Sequence, residues 1–131
     1  MAGGPMLVVV SVKQMYAGHA RQAAVLVAQN RSIARQGRYV VVVDDDIDLT
    51  NTDDVLWAMS SRTDPHADIN IIRETPSDQL NPRIPRDARA LVCSTAIIDA
   101  CKPYAWIDEF PKSLTVAPEI EERVRRKWKD L

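Results

Sequence analysis

Glycine is scarce in this chain of 131 residues. Its four glycines, Gly3, Gly4, Gly18 and Gly37, form neither G-x-G-x-x-G nor a P-loop, so the common glycine cradles for phosphate are excluded. Cys93 and Cys101 are the only cysteines; they make no disulfide framework, and no Cys/His set has zinc spacing. His19 and His66 are the only histidines, and neither belongs to an obvious Ser/His/acid set or follows a G-x-S-x-G turn. No apolar run reaches the roughly 18–20 residues of a membrane span. Met1 to Pro5 lacks the basic stretch of a signal peptide, so a cytoplasmic protein is expected. Charge of one sign is missing too. Seventeen Lys+Arg stand against 18 Asp+Glu, which removes the electrostatic case for nucleic acid or anionic membranes as partners.

Apolar residues, by contrast, make up 46% of the chain, enough to exclude disorder and to bury one core. Met6 to Val12 is a β-branched run that reads as a strand buried on both faces. His19 to Gln36 is rich in helix formers, with Ala23, Ala24, Val27, Ile33 and Ala34 as its inward stripe and Gly37 as the residue that ends it. Tyr39 to Val43 is the clearest strand. A helix from about Asp53 to Ser61 follows, capped by Asn51 or Thr52, with Val55, Leu56 and Met59 facing the core. Ile69 to Ile72 and Arg89 to Ser94 read as short strands, Thr75 to Pro85 as a polar loop, and Thr95 to Ala100 fits either element. Pro118 opens a last helix to about Lys129, where Glu and Arg repeat at i,i+4. Strands alternating with helices predict one α/β domain over residues 1–131, a mostly parallel sheet covered by helices.

The strongest chemical signal is Asp44-Asp45-Asp46-Ile47-Asp48 after the second strand. Carboxylates at the carboxyl end of a buried strand stand where open α/β sheets bind ligands. Oxygen ligands of this kind suit Mg²⁺, which would make Asp44–Asp46 the centre of a receiver-like module. The competing reading is a loop whose aspartates cap backbone amides, and the lack of a phosphate loop favours it. Lys13 and His19 bracket the turn after the first strand, at the same edge in a parallel sheet. There Lys13 could hold a carboxylate or phosphate, and His19 could donate a proton or anchor the turn. Cys93 reads as a buried small hydrophobe. Trp57, Trp106 and Trp128 read as core or interface anchors, and the C-terminal Arg/Lys group as a solvated or partner-facing helix.

Five segments, in order, resemble one family. Val10 to Gln22 (VSVKQMYAGHARQ) resembles the "V-x-I-K-x-x-Y-P-G-H-A" segment of the UbiD decarboxylases. Val40 to Asp48, with Asp53 to Ala58, is similar to "V-V-V-D-D-D-I-D … D-V-x-W-A". Arg62 to Pro65, Glu74 to Pro82, and Ala96 to Pro103 resemble the segments "T-R-x-D-P", "x-T-P-x-x-x-L-D" and "x-I-D-A-T-K-P". The resemblance covers Leu7 to Leu131 and reaches only the C-terminal domain of a family whose usual polypeptide is several times longer.

It implies reversible, non-oxidative decarboxylation of aromatic or α,β-unsaturated acids with prenylated FMN, a divalent metal (Mn or Mg) and potassium. The family's flavin-binding segment and Glu-Arg-Glu set lie upstream of this domain, so no catalytic, cofactor or metal residue carries over. What carries over is a pocket edge: Lys13 as a substrate-orienting candidate, Leu80 as an apolar substrate contact, and Asp78 and Gln79 as its variable neighbours. Ala17, Asn81, Cys101 and Thr95 depart from the family's usual Pro, Asp, Thr and Lys. The implied partner is a larger UbiD-type flavin-binding subunit, in a hetero- or homo-oligomer. The chain is then a small subunit or C-terminal part completing its pocket. A non-catalytic binding or assembly domain is the alternative.

Overall fold

The computed structural model describes residues 6–35, 37–112 and 118–128. Four strands form one sheet in the order β1-β2-β4-β3, where β1 is Leu7–Val12, β2 Tyr39–Asp44, β3 Ile69–Pro76 and β4 Val92–Ala100. β1, β2 and β4 run parallel, with Val9, Val41 and Ile98 in one register row; β3 is antiparallel to β4. The expected α/β architecture is therefore present. β2, in the interior, is buried from Val40 to Asp44. β1 lies at an edge, so its β-branched run is only half-buried rather than covered on both faces.

One helix covers each face. α1, His19–Gln29, packs Ala20 and Ala24 on Val40, Val42, Ile97 and Cys101. α3, Thr52–Arg62, packs Val55 and Ala58 on Val41, Val43, Ile98 and Ala100. Small side chains on both helices allow close approach to a valine-rich sheet. The stripe on α3 is Val55, Ala58, Met59 and Arg62, whereas Leu56 is exposed. The Asn51 carboxamide caps α3 by accepting from the Asp53 N–H.

Other elements differ from their sequence expectations for local reasons. The helix from His19 breaks at Asn30, which is extended and accepts from Ile33 and Ala34 N–H to open α2, Arg31–Ala34. Gly37 closes that turn: a Cβ there would lie 2.8 Å from Ile33 Cγ2 and 2.9 Å from the Ile33 carbonyl oxygen. Asp64 caps a further one-turn helix, α4, Pro65–Asp68. β3 runs past Ile72 to Pro76 through a bulge in which Glu74 has φ 57. β4 joins both halves of the 89–100 segment that the sequence divided. Tyr104–Trp106 forms a single 3-10 turn. α5 spans Pro118–Lys127, and the expected end at Lys129 lies outside the described residues. No described helix is long and apolar enough to cross a membrane.

Candidate functional site

Chain direction divides the loops between two opposite edges of the sheet. The parallel strands β1, β2 and β4 send Lys13, Asp44 to Asp48, and Cys101 to Trp106 to the carboxyl edge. β3 runs the other way, with Pro76 beside Val92 at the start of β4. The 77–91 loop therefore sits at the amino edge, beside Arg38.

At the carboxyl edge the aspartates are already paired. Asp44 is buried and accepts from Arg62 Nη1 at 2.9 Å, Gln14 Nε2 at 2.8 Å and the Lys102 backbone N–H at 2.7 Å. Asp46 accepts from the two terminal guanidinium nitrogens of Arg62, Nη1 at 2.8 Å and Nη2 at 3.0 Å, and from Lys102 Nζ at 2.6 Å. Asp48 accepts from the Thr50 N–H and hydroxyl, which lower its pKa. Only Asp45 of the four stays exposed without such a tie. Two cations neutralise Asp44 and Asp46, so the Mg²⁺ receiver-like reading of Asp44–Asp46 is corrected to an ion-pair network. Among the described residues, no three His, Cys, Asp or Glu side chains converge to hold a metal.

Arg62, to which the sequence assigned no role, is the centre of this network. Arg62 is 6% exposed, and its guanidinium lies over Trp57, 5.2 Å from the ring centroid, and over Phe110 at 5.9 Å. Planar stacking with bidentate pairing is a geometry that lysine cannot copy. Its signal in the sequence is position alone, one helical turn beyond Ala58 on the inward stripe of α3.

The Arg62 hydrogen bond, more than the other contacts, holds the Asp46 carboxyl down to about 2; Lys102 adds to it while burial opposes it. A depressed folded-state pKa stabilises fully above pH ~4, and that contribution is lost as pH falls towards about 2. The Asp46 side chain is 43% exposed, so solvent screening reduces its worth to about 1 kcal/mol. Asp46→Asn should lower stability near neutral pH and flatten its decline between about pH 4 and 2. Denaturant midpoints across that range check this; parallel curves for both proteins would refute it.

His19 serves the turn after β1. Its Nδ1 accepts from the Met15 N–H at 3.3 Å, and its ring stacks on Tyr16 with 4.8 Å between centroids. Gly18, at φ 88, is the left-handed N-cap of α1. Cys101 is buried and its thiol pKa is pushed up chiefly by desolvation, then by Asp44 and Asp99, so it stays protonated and inert. Cys93 is half-buried rather than a full core residue.

The amino edge is built differently. Asn81, 3% exposed, gathers the 77–91 loop: its Oδ1 accepts from Arg38 Nη1 at 2.6 Å and from the Arg83 N–H at 3.0 Å, and its Nδ2 donates to Ser77 Oγ at 2.9 Å. Asp78 Oδ1 accepts from the Leu80 N–H at 2.9 Å. The ordered base leaves Leu80 itself 69% exposed. A cavity of about 380 Å³ lies against Gln79, Leu80, Ile84 and Arg86. A second, of about 410 Å³, is lined by Arg38, Arg83, Ile84, Val92 and Cys93 among others. Two guanidinium groups beside apolar walls match an anionic head on an apolar body.

Asp78, Gln79 and Leu80 thus stand together, and Lys13 does not join them. It is exposed at the far edge, in a groove of about 480 Å³ with Gln14, Asp45, Tyr104, Ile107 and Asp108. The four residues expected at one pocket edge lie on two separate surfaces of this chain, because β3 reverses the chain before the loop. Arg38 is the amino-edge residue that the sequence did not single out; it precedes β2 with no motif to mark it.

Comparison with known proteins gives a consistent relationship. Residues 1–100 match the family described as 3-octaprenyl-4-hydroxybenzoate carboxy-lyase C-terminal domain. Among solved structures, vanillic acid decarboxylase from Sedimentibacter hydroxybenzoicus is 26% identical, with a TM-score of 0.72 over 95% of this chain and 27% of that one. The UbiD-class enzyme HmfF from Pelotomaculum thermopropionicum, in complex with FMN, is 23% identical with a TM-score of 0.70, covering 88% of this chain and 24% of that one. A 3,4-dihydroxybenzoic acid decarboxylase from Klebsiella pneumoniae is 23% identical with a TM-score of 0.69, covering 92% and 26%. The latter two likenesses concern the fold alone. The chain spans about a quarter of the length of these enzymes.

Proposed function

The chain belongs to the UbiD carboxy-lyase C-terminal domain family, and from that premise we propose that it completes the substrate pocket of a UbiD-type decarboxylase whose flavin is bound by a larger polypeptide. The observation that carries this reading is the amino-edge loop, in which a buried Asn81 hub presents exposed Leu80 beside two cavities. An ordered base under an outward apolar side chain suits a wall that closes on a ligand held by another chain, because little loop entropy is lost on contact.

In this proposal the substrates are aromatic or α,β-unsaturated carboxylic acids, released of CO₂ without oxidation. A relative named as a vanillic acid decarboxylase supports the aromatic class. So does the pairing of Arg38 and Arg83 with Ile84 and Val92 in one cavity. Leu80 packs against the ring or alkene, Gln79 and Asp78 border it, and Arg38 and Arg83 favour the carboxylate's approach. Prenylated FMN, with a divalent metal and potassium, belongs to the larger chain; HmfF holds FMN, and an evolved dimeric form of it holds prFMN. This chain's own part is to bind, orient and exclude water. Lys13 is outside the pocket.

Reconstitution with a larger flavin-binding chain of the family tests this. Leu80→Ala should lower kcat/KM for an aromatic acid about tenfold, the size expected for losing about 1.4 kcal/mol of apolar contact. Lys13→Ala should stay within about twofold of wild type. Unchanged turnover in Leu80→Ala would sink the pocket role and leave the assembly reading. A large loss in Lys13→Ala alone would move the pocket to the carboxyl edge.

A further inference from the structure

The amino-edge cavity of Arg38 and Arg83 has two cations in its wall and no acid. Neither Asp nor Glu lines it, and Ile84, Pro85 and Val92 supply apolar surface. One buried atom sets both arginines in place. Asn81 Oδ1 accepts from Arg38 Nη1 at 2.6 Å and from the Arg83 backbone N–H at 3.0 Å. Among the described residues the ion pairs belong to Arg62, Lys102 and Arg126, and neither Arg38 nor Arg83 takes part in one. Arg38 therefore keeps Nε and Nη2, and Arg83 its whole guanidinium, as donors without an acceptor.

Two like charges held side by side repel, and a bound anion relieves that repulsion. The planar fork of a guanidinium matches the two oxygens of a carboxylate. Ile84 and Pro85 also line the cavity against Leu80, so the apolar contact and the arginine pair share one wall. A ligand that lies along this wall meets both.

The chemistry of decarboxylation decides which carboxylate the arginines hold. The bond from the carboxylate to its carbon breaks, the electron pair stays on that carbon, a proton joins it there, and CO₂ leaves neutral. The departing group thus sheds its charge on the way to the transition state. Cations fixed on it would stabilise the ground state more and slow the step. Cations on an anion that the substrate keeps bind both states alike, and so lower KM without lowering kcat.

We propose, on the decarboxylase reading above, that this cavity takes a second carboxylate which the substrate retains, so that the pocket serves aromatic or α,β-unsaturated dicarboxylic acids. Arg38 and Arg83 are its specificity-determining residues. Leu80 then packs on the ring or alkene between the retained carboxylate and the departing one.

Terephthalate and its mono-amide, terephthalamate, are the probes, because they share an outline and differ by one charge. In the reconstituted complex KM should be about tenfold lower for terephthalate, with kcat within about threefold. Arg83→Met should bring the two KM values together, and Asn81 keeps its bond to the Arg83 N–H. Arg38→Met should do the same. Equal KM values in the wild type, a preference that resides in kcat, or one that survives both substitutions overturns the proposal. In parallel, nuclear magnetic resonance of the full chain alone reads the arginine Nε–H signals. Terephthalate should shift those of Arg38 and Arg83, and uncharged terephthalamide should shift neither. No shift with terephthalate, or its displacement by equimolar inorganic phosphate, overturns the dicarboxylate site. Turnover of neither acid by the complex would overturn the decarboxylase reading, and the shifts would still decide for or against the site.

Discussion

Arg62→Ala should cost about 3 kcal/mol of stability, the low end of what removing one partner from a buried ion pair takes. Asp44 would be left buried with only the Gln14 carboxamide and the Lys102 N–H to solvate its charge. Asp46 is partly exposed and would regain water. The loss of the guanidinium would also open space between Trp57 and Phe110. Out of a total of roughly 5–15 kcal/mol for a domain of this kind, that is enough to shift the denaturation midpoint clearly. Arg62→Lys keeps the charge but loses the bidentate fork and the stacking, so it should recover less than half of the deficit. Asp44→Asn in the Arg62→Ala background should recover more, because it removes the stranded charge itself. Urea unfolding of the three variants separates these outcomes. A cost below about 1 kcal/mol for Arg62→Ala would show that the network is a solvent-screened surface cluster.

Asn81→Ala should be the second large effect. It strips an acceptor shared by Arg38 Nη1 and the Arg83 N–H, and a donor to Ser77 Oγ, in a residue 3% exposed. Leaving buried polar groups unpaired costs about 1–3 kcal/mol, and most of that would fall on the 77–91 loop rather than on the sheet. Hydrogen exchange should therefore show faster opening at the Ser77, Asn81 and Arg83 amides, with β2 and β4 protected as before. In the reconstituted complex proposed above, kcat/KM should fall about tenfold, because Leu80 would no longer be held in place. Asn81→Asp is the informative control. A carboxylate still accepts from Arg38 and the Arg83 N–H, and the Ser77 hydroxyl can turn to donate to it. It should stay within about threefold of wild type in kcat/KM. Equal losses in both variants would mean that the loop needs the amide itself.

Much of the fold was legible because burial leaves a periodic trace. Five β-branched or aromatic residues from Tyr39 to Val43 marked the central strand, and Asn51 with Asp53 and Asp54 marked the start of α3. The helix end at Asn30 was missed because the composition on both sides favours helix equally, and a single residue turned to extended backbone, its carbonyl accepting from the Ile33 and Ala34 N–H, separates the two helices. Asp78, Gln79 and Leu80 were legible as a group because they are consecutive. Arg38 was not, because the contact joining it to Asn81 spans 43 residues.

The sequence by itself determined the α/β class and the family, since each rests on residues close together in the chain. Tertiary structure alone decided two things. It set β4 between β2 and β3 and reversed β3, which carried the 77–91 loop away from Lys13. It brought Arg62 to Asp44 and Asp46, and Lys102 to Asp46 across 56 residues, turning an apparent metal cluster into ion pairs. The physical reason is common to both. Periodicity records how deeply a residue is buried, but not which distant group meets it; strand order and direction choose that partner.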